Sequence, residues 1–151
     1  MPGQDADLSK LTFLVVEDQE HIRCLIVQLL ARLEVGRVLE EADGGAALRL
    51  MSSESPDFIL CDVWMEPVDG LAFLRRLRSG EVGTENAAVP VVFLTADSEQ
   101  GTVMAAIEGD VDGYLVKPVS LADLRTKITA ILDRRRSGLR PKAVPQPRPV
   151  S

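Results

Sequence analysis

Residues 58–71 read FILCDVWMEPVDGL, an apolar run from Phe58 to Val63 interrupted only by Asp62 and followed by a turn-forming stretch that closes on Asp69–Gly70. A run this short, bounded by turn residues, reads as a strand buried on both faces, the kind found inside parallel sheets. Phe13 to Val16, Val91 to Leu94 and Tyr114 to Val116 have the same character. A fifth strand fits 36–42, where Val38, Glu40 and Ala42 alternate with Arg37, Leu39 and Glu41.

Between these runs the apolar period changes from two to that of a helix. Ile22, Leu25, Ile26, Leu29, Leu30 and Leu33 form one stripe on a helix of about four turns. Further helical patterns fall at 44–53, at 70–79 (Leu71, Leu74, Leu77), at 98–108 (Val103, Ile107) and at 120–134 (Leu121, Leu124, Ile128, Ile131, Leu132). Five strands alternating with five helices imply parallel pairing with right-handed crossovers, so the fold class is a doubly wound, five-stranded α/β sheet with helices on both faces. Gly44–Gly45 reads as a helix-start turn, since neither GxGxxG nor GxxxxGK is present.

The 151 residues suffice for one domain, 46% hydrophobic and 26% charged. The expected organisation is an N-terminal extension over 1–10, a domain over 11–133, and a basic, proline-rich, flexible tail over 134–151. All 23 acidic residues and 11 of the 17 basic ones lie in 1–133, giving that segment a net charge of −12 and the tail +6. So acidic a domain is a poor surface for nucleic acid, and no direct nucleic-acid binding is expected. No apolar stretch approaches the roughly 18 residues of a membrane span, and residues 1–10 lack the layout of a secretory signal, so no membrane span and a cytoplasmic protein are expected. Cys24 and Cys61 each sit in an apolar run without CxxC spacing, which predicts buried thiols. His21, the single histidine, predicts a solvated or capping role near a helix start.

In doubly wound sheets ligand chemistry gathers beyond the carboxyl ends of the strands. The polar residues there are Glu17 and Asp18 after the first strand, Asp62 in the third, Thr95 after the fourth and Lys117 after the fifth. Three carboxylates at one rim repel one another unless a cation sits among them, and oxygen ligands of this kind suit Mg²⁺. Mg²⁺ with a nearby ammonium is the charge set needed to neutralise a phosphoryl group in transfer, and an aspartate is a known class of acceptor. Thr95 offers a hydroxyl donor to a phosphoryl oxygen.

Four fragments in order, LVVEDQ, CDVWMEPVDG, VVFLTA and DGYLVKP, resemble the response-regulator receiver family over 11–133, a family of flavodoxin-like fold. The resemblance implies Asp62 as phosphoacceptor, Asp18 as direct Mg²⁺ ligand, Glu17 acting through water, and the Trp64 carbonyl as a further ligand. It also implies phosphoryl contacts from Lys117 and Thr95, a switch role for Thr95 and the aromatic Tyr114, and a cis peptide at Lys117–Pro118. Two positions depart from the family pattern. Pro67 follows Glu66 rather than Met65, which predicts a loop of different shape, and the first acid is Glu17 rather than aspartate.

The resemblance implies a phosphoacceptor signalling domain rather than an enzyme acting on other substrates, catalysing only its own phosphoryl uptake and slow autodephosphorylation. The phosphoryl donor would be a sensor histidine kinase or histidine phosphotransfer protein. Since no DNA-binding, cyclase or phosphodiesterase segment follows residue 133, a single-domain regulator acting on a downstream protein target is expected, through the face formed by the helices predicted at 98–108 and 120–134. A receiver-like module that binds partners without phosphorylation is the alternative, and the complete acceptor set argues against it. A haloacid-type phosphatase needs a second acid two residues after the nucleophile, where this chain has Trp64. Alternation along an extended chain turns Trp64 to the acceptor's side, which predicts an indole at the pocket rim. In the family this position and that of Asp97 influence how water reaches the phosphoryl group.

Overall fold

The computed structural model describes residues 7–96 and 111–138. The helix predicted at 98–108, Asp97 and most of the basic tail lie outside the described residues. Five strands, β1 (Thr12–Val16), β2 (Arg37–Glu41), β3 (Phe58–Asp62), β4 (Val91–Thr95) and β5 (Gly113–Val116), form one sheet in the order β2-β1-β3-β4-β5. Every pairing is parallel. Four helices are described: α1 (Glu20–Arg32), α2 (Gly44–Met51), α3 (Gly70–Arg78) and α4 (Leu121–Arg136). The chain leaves β1 for one edge and β3 for the other, so strand order reverses between β1 and β3. The two strands at that switch point end in Glu17–Asp18 and in Asp62.

Alternation along the central strands divides the core into two halves. Leu14, Val16, Ile59, Cys61, Val91 and Phe93 face α2 and α3, through Ala47, Leu48, Met51, Phe73, Leu74 and Leu77. Phe13, Val15, Phe58, Leu60, Val92 and Leu94 face α1 and α4, through Ile26, Leu30, Leu124, Ile128 and Ile131. β3 and β4 are buried at every position, which is why their sequences show no polar alternation. On the edge strand β2 the pattern is mixed, as its charged residues require. Three helices begin at side-chain caps: Asp43 accepts from the Ala46 N–H, Asp69 from that of Ala72, and Ser120 from that of Asp123. Gly44–Gly45 opens α2, as read.

Two expectations for α1 require correction. Cys24 is exposed, not buried, while Cys61 is buried. At 100° per residue Cys24 lies roughly 200° around the helix from Ile26, on the face away from the sheet. Leu25 is 44% exposed because it sits at the margin of the stripe that buries Ile26 and Leu30. His21 is exposed in the first turn of α1. Among the described residues no helix is long and apolar enough to cross a membrane.

At the amino-terminal end of the sheet, residues 8–10 form a 3₁₀ turn docked on the start of β2, where the Gly36 N–H is shared between the Leu8 and Leu11 carbonyls at 3.0 and 3.1 Å. A buried carboxylate organises the same end. The Asp112 side chain, 1% exposed, accepts from Arg78 at 3.2 Å, from Arg135 Nε at 2.8 Å and from the Val91 N–H at 3.0 Å. It thereby joins α3, β4 and the last turn of α4. The basic segment from residue 134 therefore starts inside a helix: α4 continues to Arg136, and Arg135 is part of this cluster. Replacing Asp112 with alanine leaves two guanidinium groups without their shared partner. The expected cost is about 2–3 kcal/mol, below the roughly 3–5 of fully buried pairs, because both arginines still reach solvent. Urea denaturation measures it. A chain ending at Asp133 should lose much of the same stability, whereas one ending at Gly138 should stay within about 0.5 kcal/mol of the full chain. Equal stability of the two truncated forms would show that Arg135 contributes nothing.

Candidate functional site

The ends of β1, β3, β4 and β5 bring together Glu17, Asp18, Asp62, Thr95 and Lys117. Ligand oxygens of Glu17, Asp18 and Asp62 all lie within 4.8 Å of one another. The Lys117 ammonium lies 3.1 Å from Glu17 Oε1 and donates to Asp62 Oδ1 at 3.2 Å. Its position follows from the sheet, since the Lys117 N–H bonds to the Thr95 carbonyl at 2.9 Å, continuing the β4–β5 ladder by one step. The Lys117–Pro118 peptide is cis, as the resemblance implies, and so is Glu66–Pro67, which the sequence did not indicate.

Burial and crowding set the electrostatics. Glu17 is fully buried, and burial first, then the Asp62 charge, pushes its carboxyl up to about 7. Burial also raises Asp62, against the pull of Lys117. For Lys117 burial works against the charged form, but the two carboxylates outweigh it and the ammonium is held above its ordinary value. Asp18 is exposed at the mouth of the cluster. Two buried side-chain oxygens lack hydrogen-bond partners among the described residues, Glu17 Oε1 and Thr95 Oγ1. For Glu17 Oε1 the contact with Lys117 is an ion pair without hydrogen-bond geometry. An unsatisfied buried hydroxyl costs free energy unless a group beyond the described residues completes it. The donor set, three carboxylates and an orphaned hydroxyl beside an ammonium, fits a hard divalent cation together with a phosphoryl group.

Trp64 is 48% exposed and Tyr114 38%, the latter with the Lys127 ammonium 5.9 Å from its ring centroid. The sequence reading did not identify what holds the loop after Asp62. Gly70 opens α3 directly against the strand it follows, its N–H donating to the Val63 carbonyl at 2.8 Å. A Cβ there would run into the Asp62 carbonyl oxygen and stand 2.9 Å from Val63 Cα. Gly44 grips the other side of the loop, with its N–H on the Val68 carbonyl at 3.0 Å and space for a Cβ denied by that same residue. Asp69–Gly70 was visible as a motif, but the reason for glycine is an approach between segments that only the fold creates. Gly70→Ala should therefore displace the end of β3 and cost on the order of 1–3 kcal/mol by overpacking. Chemical denaturation checks this, and an unchanged midpoint would mean that α3 can shift freely.

A doubly wound domain with a carboxylate cluster and a lysine at its switch point defines a class of phosphoryl- or cation-binding α/β proteins. The chain belongs to the response regulator receiver domain family, whose model matches residues 13–129; it is a receiver domain of two-component signalling. It is similar to the chemotaxis protein CheY-3 of Vibrio cholerae, with 30% identity over 131 residues covering 86% of this chain and 98% of that protein. It is also similar to the transcriptional regulatory protein AfsQ1 of Streptomyces coelicolor, with 32% identity over 82% of this chain and 52% of that protein. Among solved structures, a putative response regulator from Chloroflexus aurantiacus superposes with a TM-score of 0.74 at 26% identity, covering 83% of this chain and 99% of that one. The receiver domain of the sensor histidine kinase PA1611 from Pseudomonas aeruginosa, whose active site cleft coordinates a magnesium ion, gives 0.72 at 28% identity, covering 82% and 98%.

Proposed function

We propose that this domain accepts a phosphoryl group on Asp62 from a sensor histidine kinase or histidine phosphotransfer protein, and that the modified domain presents an altered surface to a downstream protein. The observation that carries the reading is the Lys117–Asp62 contact at 3.2 Å on the rim that also holds the buried Thr95 hydroxyl, which lacks a hydrogen-bond partner among the described residues. Glu17, Asp18, Asp62 and the Trp64 carbonyl would hold Mg²⁺. When bound, the ion would supply positive charge to the oxygens of the phosphoryl group in transfer.

The chain's own residues act around that charge. An Asp62 carboxylate oxygen attacks phosphorus, a new O–P bond forms, and the P–N bond to the donor imidazole breaks with its electron pair leaving on nitrogen. Lys117, already paired with Asp62, follows the negative charge from the carboxylate onto the phosphoryl oxygens. Thr95 donates its hydroxyl to one of those oxygens. That bond draws Thr95 towards the new group, and Tyr114 on the neighbouring strand is the exposed aromatic that would report the change at the surface.

A small acyl or phosphoramidate donor should label the protein in a Mg²⁺-dependent way, and Asp62→Asn should abolish the labelling. Labelling that persists in the variant, or in full with EDTA, refutes the assignment. Failure of the wild type to label at all would favour a receiver-like module working without phosphorylation. Trp64, half-exposed two residues beyond Asp62, supports a role in shielding the phosphoryl group from in-line water. Trp64→Asn should then dephosphorylate about tenfold faster than the wild type, equivalent to about 1.4 kcal/mol of barrier. A wild-type rate equal to or faster than the variant's would defeat the shielding.

A further inference from the structure

The turn that carries Glu17 and Asp18 is spanned by a side chain without a role in the chemistry above. Arg23, in the first turns of α1, donates from Nη1 to the main-chain carbonyl of Glu17 at 2.7 Å and from Nε to Glu40 of β2 at 3.2 Å. Its side chain is only 19% exposed. Its own amide bonds to the Gln19 carbonyl at 2.9 Å, so backbone and side chain grip the same turn. The turn is held further by the Glu17 N–H on the Glu41 carbonyl across to β2 at 3.0 Å, by the Gln19 N–H on the Glu17 side chain at Oε2, 3.1 Å, and by the Lys117 ammonium beside Glu17 Oε1.

Such a strap is needed because the turn presents two carboxylates to a third. Repulsion within 4.8 Å is relieved most cheaply by swinging the exposed Asp18 outward, which a pinned Glu17 carbonyl opposes. A guanidinium-to-carbonyl bond is among the stronger hydrogen bonds available for this purpose. The charge of Arg23 faces Glu40. Among the described residues Arg23 forms no ion pair with Glu17, Asp18 or Asp62, so its influence on them runs through the backbone.

We propose that Arg23 is a positioning residue, holding the Glu17–Asp18 turn in the form that binds the cation before the cation arrives. The inference rests on reading the acidic cluster as a Mg²⁺ site, and its test has an arm that needs no metal. Arg23→Met keeps the aliphatic stem and removes both donors, and Arg23→Lys restores a charged donor. In metal-free protein the amides of Glu17 and Gln19 should exchange with deuterium about five times faster or more in Arg23→Met than in the wild type. Mg²⁺ affinity by calorimetry should fall about tenfold in the same variant and recover in large part in Arg23→Lys. The phosphorylation rate at saturating Mg²⁺ should stay within about twofold, since pre-organisation is lost but no group that touches the phosphoryl is. Should Arg23→Met fail to fold, Arg23→Gln, too short to reach the carbonyl, is expected to show the same losses. Unchanged exchange with wild-type Mg²⁺ affinity overturns the role of Arg23 and leaves the metal site standing. A wild type that binds no Mg²⁺ overturns the metal reading and with it this one, even where faster exchange shows that Arg23 stiffens the turn.

Discussion

The Lys117 ammonium between Glu17 and Asp62 is the interaction on which the remainder of the site depends. Two buried carboxylates close to each other and to Asp18 cannot all remain charged unaided, because burial and mutual repulsion both favour protonation. Lys117 keeps the cluster ionisable, and the cluster keeps Lys117 charged against its own burial. Neither side is satisfied alone. The balance is incomplete even with the lysine in place, as the raised carboxyls of Glu17 and Asp62 show. That residual imbalance suits the corner to a divalent cation and, on the proposed reading, would give an incoming phosphoryl group a counter-charge at Asp62.

The fold delivers this arrangement by stacking strand ends rather than by placing the residues near one another in the chain. Parallel register sets the ends of β1, β3, β4 and β5 on one rim, and the reversal of order between β1 and β3 opens a crevice there for the acids. Rigidity around the crevice comes from close approach of backbones. Gly70 abuts the Asp62–Val63 peptide, Gly44 abuts Val68, and Arg23 ties the opposite turn to β2. Asp18 is exposed while Glu17, Asp62 and Thr95 are buried, so the rigid part of the site lies beneath a more accessible rim.

The opposite end of the sheet is built on a different principle. Asp112 is also a buried carboxylate, but two guanidinium groups and the Val91 N–H meet it fully. Such a cluster secures elements to one another and has no capacity left for a ligand. The two ends of β4 and β5 thus contrast a completed ionic network, suited to structure, with an incomplete one, suited to chemistry.

The amino-acid sequence by itself determined the five strands and the four helices among the described residues, and with them the parallel doubly wound sheet. Apolar period is a local property, and alternating elements leave few ways to bury both faces of a sheet. It also determined the five polar residues of the rim, because Glu17, Asp18, Thr95 and Lys117 each follow an apolar run and Asp62 interrupts one near its end. Cys24 shows the limit of that kind of reading: an apolar neighbourhood in sequence does not say which side of a helix faces the core. Only the tertiary structure decided that Arg135 belongs to a buried cluster rather than to a basic tail, because its partner Asp112 precedes another element altogether. The same holds for Gly70, Gly44 and Arg23. Their roles lie in distances between backbone segments, and no pattern of residue types along a chain encodes a distance that exists only after the segments have packed.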